Sequence, residues 1–171
     1  MFSEDFYEDG RHFSYDTFLR EFQLIWEAVQ PILKIRDIRR IGFYAEHRFE
    51  AKAHPSVQLF EAITKLPRSP IVDKFSMQFE VRKPTGKGGL PDPVKDDFYN
   101  YITSIYDSSI DTEHPEVGFF NANLDVQRYY SPALNGDVPG AARAIAQEYQ
   151  KAEPSFFEHL ESLGLKHAKT T

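Results

Sequence analysis

The chain has no cysteine among its 171 residues. Its fold therefore cannot rely on disulfides, and thiolate catalysis and cysteine-based zinc sites are excluded. The first five residues, Met1-Phe2-Ser3-Glu4-Asp5, are acidic where a secretory signal is basic and then apolar. No apolar run approaches the ~20 residues that cross a bilayer. Together these absences predict a cytoplasmic protein without a membrane partner.

Basic residues are fewer than acidic ones. The chain has 20 lysines and arginines against 26 aspartates and glutamates, for a formal net charge of −6. This balance disfavours nonspecific binding to nucleic acid, which depends on neutralising phosphates. One segment nevertheless has a basic excess, which predicts either a solvated sheet face or a local phosphate-contacting patch. Its basic residues are Lys34, Arg36, Arg39, Arg40, Arg48 and Lys52.

Apolar residues are plentiful, with 15 Phe and 9 Tyr. Their spacing predicts a first helix over Tyr15–Leu33, in which Ser14 caps the first turn and Pro31 bends or ends the last. Trp26 shares the apolar stripe of this helix with Phe22. We therefore predict that Trp26 is buried between the helix and a sheet.

Alternation of apolar and polar residues predicts four strands. The third of them also fits a helical period, but its aromatic and β-branched residues favour a strand. A second helix is predicted after the first strand, and a third begins at Val138, where Pro154 kinks it or separates it from a helix over Ser155–Leu163. The strands are Ile38–Phe49, Phe75–Arg82, Phe98–Tyr106 and Val117–Tyr130, and the second helix is Pro55–Leu66.

The element order α-β-α-β-β-β-α predicts an α+β fold. Because the strands are clustered, we expect a largely antiparallel sheet of about four strands with helices packed on one face, covered by the long first and last helices. A chain of this length fits one domain spanning residues 1–171. Residues 1–13 are predicted to be a mobile N-terminal arm.

Familiar catalytic and metal-binding motifs fail when their spacing is checked. Residues 86–89 read Gly-Lys-Gly-Gly, but no Ser or Thr follows and no helix opens, so a hairpin connection is favoured over a phosphate loop. Asn121–Asp125 resembles the start of an EF-hand loop, but Val126 and Pro132 replace its glycine and glutamate. His47 lies on the apolar side of its strand and is interpreted as a hydrogen-bonded core or edge histidine rather than a catalyst. We predict no catalytic residue, metal site or cofactor.

A continuous polar face runs along the last predicted strand. It is either exposed to solvent, which is the more frequent arrangement, or it lines a pocket for a polar ligand. Buried amides would need hydrogen-bond partners, and we expect side chains of the first strand to supply donors. The candidate ligand-binding residues are Asn121, Asn123, Asp125 and Gln127 on the last strand, and Arg40, Tyr44 and Arg48 on the first.

The segment from Tyr15 to Leu33 and on to Tyr44, with Ile38-Arg39-Arg40-Ile41-Gly42-Phe43-Tyr44, resembles a sporadically distributed bacterial family of uncharacterised proteins. Members of that family show an aromatic-rich helix followed by a strand reading roughly Arg-Ile-Gly-Leu-Arg-Tyr. The resemblance covers about thirty residues, and the chain departs from the pattern at Phe43 and Tyr44. It implies a bacterial protein, but no activity or site residue is carried over.

Two functions are compatible with the sequence. The first is a non-enzymatic protein-binding module, such as an accessory, inhibitor or immunity protein, because aromatic residues are enriched at interfaces. The alternative is a small-molecule-binding protein or a hydrolase that uses the Asn121–Gln127 face. Nucleic-acid binding through Arg39, Arg40 and Arg48 ranks third. In the first case we expect an acidic surface to meet a basic partner, through Glu4, Asp5, Glu8, Asp9, Asp96 and Asp97.

Overall fold

The computed structural model describes residues 14–51, 54–66, 72, 74–86, 88–107 and 118–165. The predicted N-terminal arm, residues 1–13, lies outside them. The described residues form, in chain order, α1 (Tyr15–Leu33), β1 (Ile38–Ala51), α2 (Pro55–Thr64), β2 (Ser76–Pro84), β3 (Phe98–Asp107), β4 (Gly118–Leu134) and α3 (Val138–Ser162). The α+β class and the predicted element order are confirmed.

The four strands form one sheet in the order β1-β4-β3-β2, and every neighbouring pair is antiparallel. The segment Phe98–Asp107, for which a helix was the alternative, is a central strand that pairs on both sides. The glycine-rich residues belong to the connection between the antiparallel neighbours β2 and β3, as the failed phosphate-loop spacing predicted.

Helix boundaries follow local sequence signals. The Ser14 hydroxyl accepts a hydrogen bond from the Thr17 amide at 3.3 Å, and Lys34 ends α1 in the left-handed conformation. The Asp137 carboxylate likewise caps α3 by accepting from the Gly140 amide at 2.8 Å. Helix α3 runs through Pro154 without interruption, so the predicted separation into two helices is wrong. A proline costs one backbone hydrogen bond, and the apolar face on both sides of Pro154 remains packed.

The helices pack on one face of the sheet, and the main core lies between that face and α3. Tyr149 of α3 is fully buried, with its ring 4.9 Å from that of Phe43 on β1 and its hydroxyl 3.2 Å from His47 Nε2. His47 is thus a hydrogen-bonded histidine of the covered face, as predicted. The buried members of this core are Phe43, Phe49, Leu59, Ile105, Phe120, Ala122, Leu124, Val126, Ile145, Ala146, Tyr149, Phe156, Leu160 and Leu165.

Glu148 ties α3 to the far edge of the sheet. Its carboxylate accepts from the Tyr101 hydroxyl at 2.6 Å and lies 3.3 Å from the ammonium groups of both Lys83 and Lys151. The side chain is only 15% exposed. The Tyr101 hydrogen bond, aided by the two lysines, holds the pKa of Glu148 below its ordinary value.

A lowered carboxyl pKa stabilises the folded protein above the unfolded value of ~4.3, and this contribution is lost as the pH falls through the folded value. We expect Glu148→Gln to reduce the free energy of unfolding by about 1 kcal/mol at pH 7. The difference from the parent should shrink below about pH 4. Urea denaturation of both proteins at pH 7 and pH 3.5 measures it. An equal difference at the two pH values would contradict this electrostatic role.

Candidate functional site

All seven predicted ligand-binding residues lie on the face of the sheet opposite the helices, here called the open face. Cross-strand pairing places Arg48 opposite Asn121, and Tyr44 opposite Asp125. The structure therefore brings the two predicted groups together: alternation placed each group on one face of its own strand, and the pairing of β1 with β4 joins them. It also divides them between two ends of the face, which differ in chemistry.

One end is a closed hydrogen-bond network around Glu46. The Glu46 carboxylate accepts from Asn121 Nδ2 at 2.7 Å, from the Tyr44 hydroxyl at 2.9 Å and from the Tyr106 hydroxyl. Tyr44 in turn accepts from Asn123 Nδ2 at 2.9 Å. Burial raises the pKa values of Tyr44 and Tyr106, which keeps both hydroxyls protonated as donors. These polar groups bond one another, so they fix the strands rather than await a ligand.

The expectation that this face is exposed is wrong for three of the four amide and carboxylate residues. Asn121, Asn123 and Gln127 are each less than a tenth exposed, and Asp125 is half-buried. The physical reason is side-chain length. Short amides on the central strand β4 are enclosed by longer tyrosines and carboxylates on the neighbouring strands, without a further layer among the described residues.

At the other end of the open face lies a hollow of about 260 Å³. Its walls come from all four strands, and Pro93 of the β2–β3 connection borders it. Of the predicted residues, only Arg40 and Gln127 line it. Tyr44 belongs to the Glu46 network, and the Arg48 guanidinium lies 3.8 Å from the centre of the Phe119 ring. The lining residues are Arg40, Glu80, Arg82, Pro93, Phe98, Asn100, Ile102, Gln127 and Tyr129.

The floor of the hollow is built by close contacts across strands. Phe98 and Tyr129 stack with ring centres 4.7 Å apart and planes 4° from parallel. Gly42 of β1 pairs with Gln127, and a Cβ at Gly42 would lie only 3.1 Å from Gln127 Cγ. The absent side chain therefore leaves room for Gln127, whose amide donates to Asp125. Burial raises the pKa of Asp125, against the effect of this hydrogen bond.

Sequence reasoning missed three polar residues of the hollow: Glu80, Arg82 and Asn100. Glu80 and Arg82 occupy the polar positions of β2, and Asn100 is an amide among aromatic and β-branched residues of β3. That irregularity was a readable signal. The sequence does not show which strands lie beside β4. It therefore could not place these three residues in one site with Gln127.

A second candidate surface lies on the C-terminal half of α1. Five aliphatic side chains there and in the following turn are between 37% and 77% exposed, and we call them the apolar α1 surface: Leu24, Ile25, Ile32, Leu33 and Ile35. Beside it is a cleft of about 540 Å³ between α1, the start of β1, the end of β4 and the start of α3. Trp26 lines this cleft, together with Ile35, Ile38, Leu134 and Val138.

The prediction that Trp26 is buried against the sheet is wrong, because Trp26 is only half-buried and no residue of α1 is fully buried. The helix is held at its N-terminal half, where the rings of Tyr15 and Phe18 lie 5.5 Å and 5.4 Å from that of Phe43. Helix α3 already occupies the centre of the sheet. The rest of the α1 stripe therefore extends past the core.

The acidic residues predicted to meet a basic partner fall into two groups. Glu4, Asp5, Glu8 and Asp9 lie outside the described residues. In the β2–β3 connection, Asp96 accepts from the Asp92 amide at 2.7 Å, and Asp97 forms an ion pair with Arg128 at 2.9 Å. These two carboxylates of the connection therefore make bonds within the molecule.

Within the described ranges, no group of three or more His, Asp or Glu residues is placed to hold a metal ion. Nor does any of the described helices have the length and apolar character needed to cross a membrane.

Comparison with protein-family models, with curated proteins and with solved structures gave no match. The resemblance carried by Tyr15–Leu33 and the Arg-Ile-Gly strand therefore stays a prediction.

Proposed function

We propose that this chain is a protein-binding module and that its partner covers the apolar α1 surface and inserts a side chain into the Trp26 cleft. The observation that carries the proposal is the exposure of five large aliphatic side chains beside the half-buried Trp26. Contiguous apolar patches on a protein surface mark interaction sites, and tryptophan is enriched among the residues that dominate binding energy.

Charge beside the patch indicates what kind of partner fits. Lys34, Arg36 and Arg39 are exposed at the α1–β1 turn and the start of β1, and Asp37 is the one acidic residue among them. This local excess of positive charge contrasts with the net charge of −6 of the whole chain. We infer that the partner presents an apolar segment bordered by aspartates or glutamates, since complementary charge steers association and fixes orientation.

The acidic connection is a weaker candidate for the contact. The carboxylates of Asp96 and Asp97 are already bonded within the molecule, and a partner would have to replace those bonds. A partner that covers the apolar α1 surface breaks no such bonds. It removes apolar area from water, which contributes a favourable free energy of about 25 cal/mol per Å².

Site-specific photo-crosslinking in the native host tests the proposal. A photoreactive residue at position 32 should capture one partner, and the crosslinked peptide should be apolar with flanking carboxylates. The matched control is position 90, because Leu90 is equally apolar and exposed but lies in the β2–β3 connection. Capture from position 90 alone, or a captured peptide that is basic, would contradict the proposal.

Affinity for the captured partner then gives the size of the effect. We expect Ile32→Asp to weaken binding at least tenfold, because a charge would be buried at the interface, while Leu90→Asp leaves the affinity unchanged. Both positions are exposed, so both variants should melt like the parent. A second copy of this chain as the captured protein, with sedimentation as a dimer, would reassign the surface to self-association.

A further inference from the structure

The hollow on the open face contains an unmet hydrogen-bonding group. Asn100 is 3% exposed, and its Nδ2 donates to Glu80 Oε2 at 3.2 Å. Because a carboxylate can only accept, this bond fixes the amide orientation and leaves Oδ1 on the other side. Among the described residues, Asn100 Oδ1 is the one buried side-chain nitrogen or oxygen without a partner.

An unmet buried acceptor is costly, and native structures contain few of them. The hollow supplies space for a donor beside it, since Asn100 is one of its lining residues. Oδ1 is itself covered, so a donor reaches it only after a neighbouring side chain rotates. The long side chains of Arg40 and Arg82 at the rim are partly solvated, and such side chains change rotamer within nanoseconds.

The hollow is also lined by two arginines whose guanidinium groups make only long polar contacts within the molecule. Arg40 donates to the Tyr129 hydroxyl at a long 3.4 Å and makes no salt bridge within the part of the chain that the structure describes. Arg82 pairs loosely with Glu80 at 3.9 Å, and its guanidinium lies 5.9 Å from the centre of the Phe98 ring. Guanidinium groups bind carboxylates in a planar, bidentate manner. These two arginines are therefore suited to bind an anionic group of a ligand.

The charges that line the hollow are therefore of both signs: Arg40 and Arg82 are positive and Glu80 is negative. A simple anion without a hydrogen-bond donor, such as sulfate, would leave Asn100 Oδ1 without a partner and would meet the Glu80 carboxylate. A ligand that carries a carboxylate and an ammonium group within a few atoms meets all of these requirements. The volume of about 260 Å³ suits a small molecule.

We propose that the hollow between Arg40 and Arg82 binds an α-amino acid as its zwitterion. The carboxylate lies at the guanidinium groups, and the ammonium donates to Asn100 Oδ1 and faces Glu80. The ligand side chain packs on the ring of Tyr129, which is half-buried, whereas its stacking partner Phe98 is fully buried. This site is separate from the apolar α1 surface, so either proposal can fail without the other.

Calorimetric titration with the twenty amino acids, each supplied singly, tests the proposal. We expect at least one of them to bind with a Kd below about 1 mM. Its N-acetyl derivative, which lacks the ammonium, and its amide, which lacks the carboxylate, should each bind at least tenfold more weakly. Absence of binding by all twenty, or equal binding of the N-acetyl form or of inorganic phosphate, would overturn it.

Variants separate binding from folding. Asn100→Leu removes the unmet acceptor in a side chain of similar size, so we expect a melting temperature at or above that of the parent and at least a tenfold loss of affinity. Glu80→Gln and Arg82→Gln change rim residues and should also weaken binding at least tenfold. These two variants test the site if Asn100→Leu does not fold. Arg48→Gln, on the same face but outside the hollow, is the matched control. Parental affinity in all three hollow variants would overturn the site.

Discussion

Replacing Tyr149 with alanine is expected to reduce the free energy of unfolding by about 3–5 kcal/mol, because it empties the centre of the core and removes a hydrogen-bond partner of His47. The ring lies within 6.3 Å of Tyr15 and 4.9 Å of Phe43, so it joins α1, α3 and β1. Such a loss is a large part of the ~5–15 kcal/mol that stabilises an ordinary domain. Urea denaturation of parent and variant measures it.

The matched control is Trp26→Ala, a truncation of another large aromatic residue. Since Trp26 is half-buried at the cleft, its loss should cost only about 1 kcal/mol. If Trp26→Ala were as damaging as Tyr149→Ala, the C-terminal half of α1 would be packed against the protein itself, and the proposed docking surface would not exist.

Ser56→Ala is expected to cost about 2–3 kcal/mol, although it removes a single oxygen atom. The Ser56 side chain is fully buried at the start of α2. Its hydroxyl donates to Asp107 Oδ2 at 2.7 Å and accepts from the Phe75 amide at 2.9 Å. It therefore connects α2 to the end of β3 and to the residue before β2, and alanine leaves the Phe75 amide without this acceptor.

Ser104→Ala provides the comparison for this prediction. Ser104 donates to Gln78 at 3.3 Å in an exposed setting on the open face, where water can replace the bond. Thermal melts should show a drop of several degrees for Ser56→Ala and almost none for Ser104→Ala. Equal melting temperatures would mean that the buried Ser56 hydroxyl is not holding α2 to the sheet.

The fold class and the element order could be predicted because the local periodicity of apolar residues identified the helices and strands. Strict alternation in β4 identified both of its faces, and capping residues such as Ser14 and Asp137 marked where α1 and α3 begin. The Trp26 error shows the limit of this reasoning. A helical stripe tells which residues share a side of the helix, but not how much of that side another element covers.

The candidate site was predictable only in part, for a related reason. Alternation placed Arg40 and Gln127 on one face, but the hollow also needs Asn100 and Arg82, which reach it because β3 lies between β4 and β2. Strand order depends on contacts between distant segments, and a single sequence does not encode these in its local pattern. The same limit explains why the burial of Asn123 by Tyr44 was not foreseen.

The fluorescence of Trp26 tests the central proposal most directly, because it is the single tryptophan of the chain and lines the proposed contact. In the isolated protein, acrylamide should quench its emission readily. Saturation with the purified partner that crosslinking identifies should shift the Trp26 emission to shorter wavelength and protect it from acrylamide. An amino acid bound on the open face should leave the emission wavelength and the quenching unchanged. Unaltered Trp26 quenching in the saturated complex would contradict the assignment of the apolar α1 surface as the docking site.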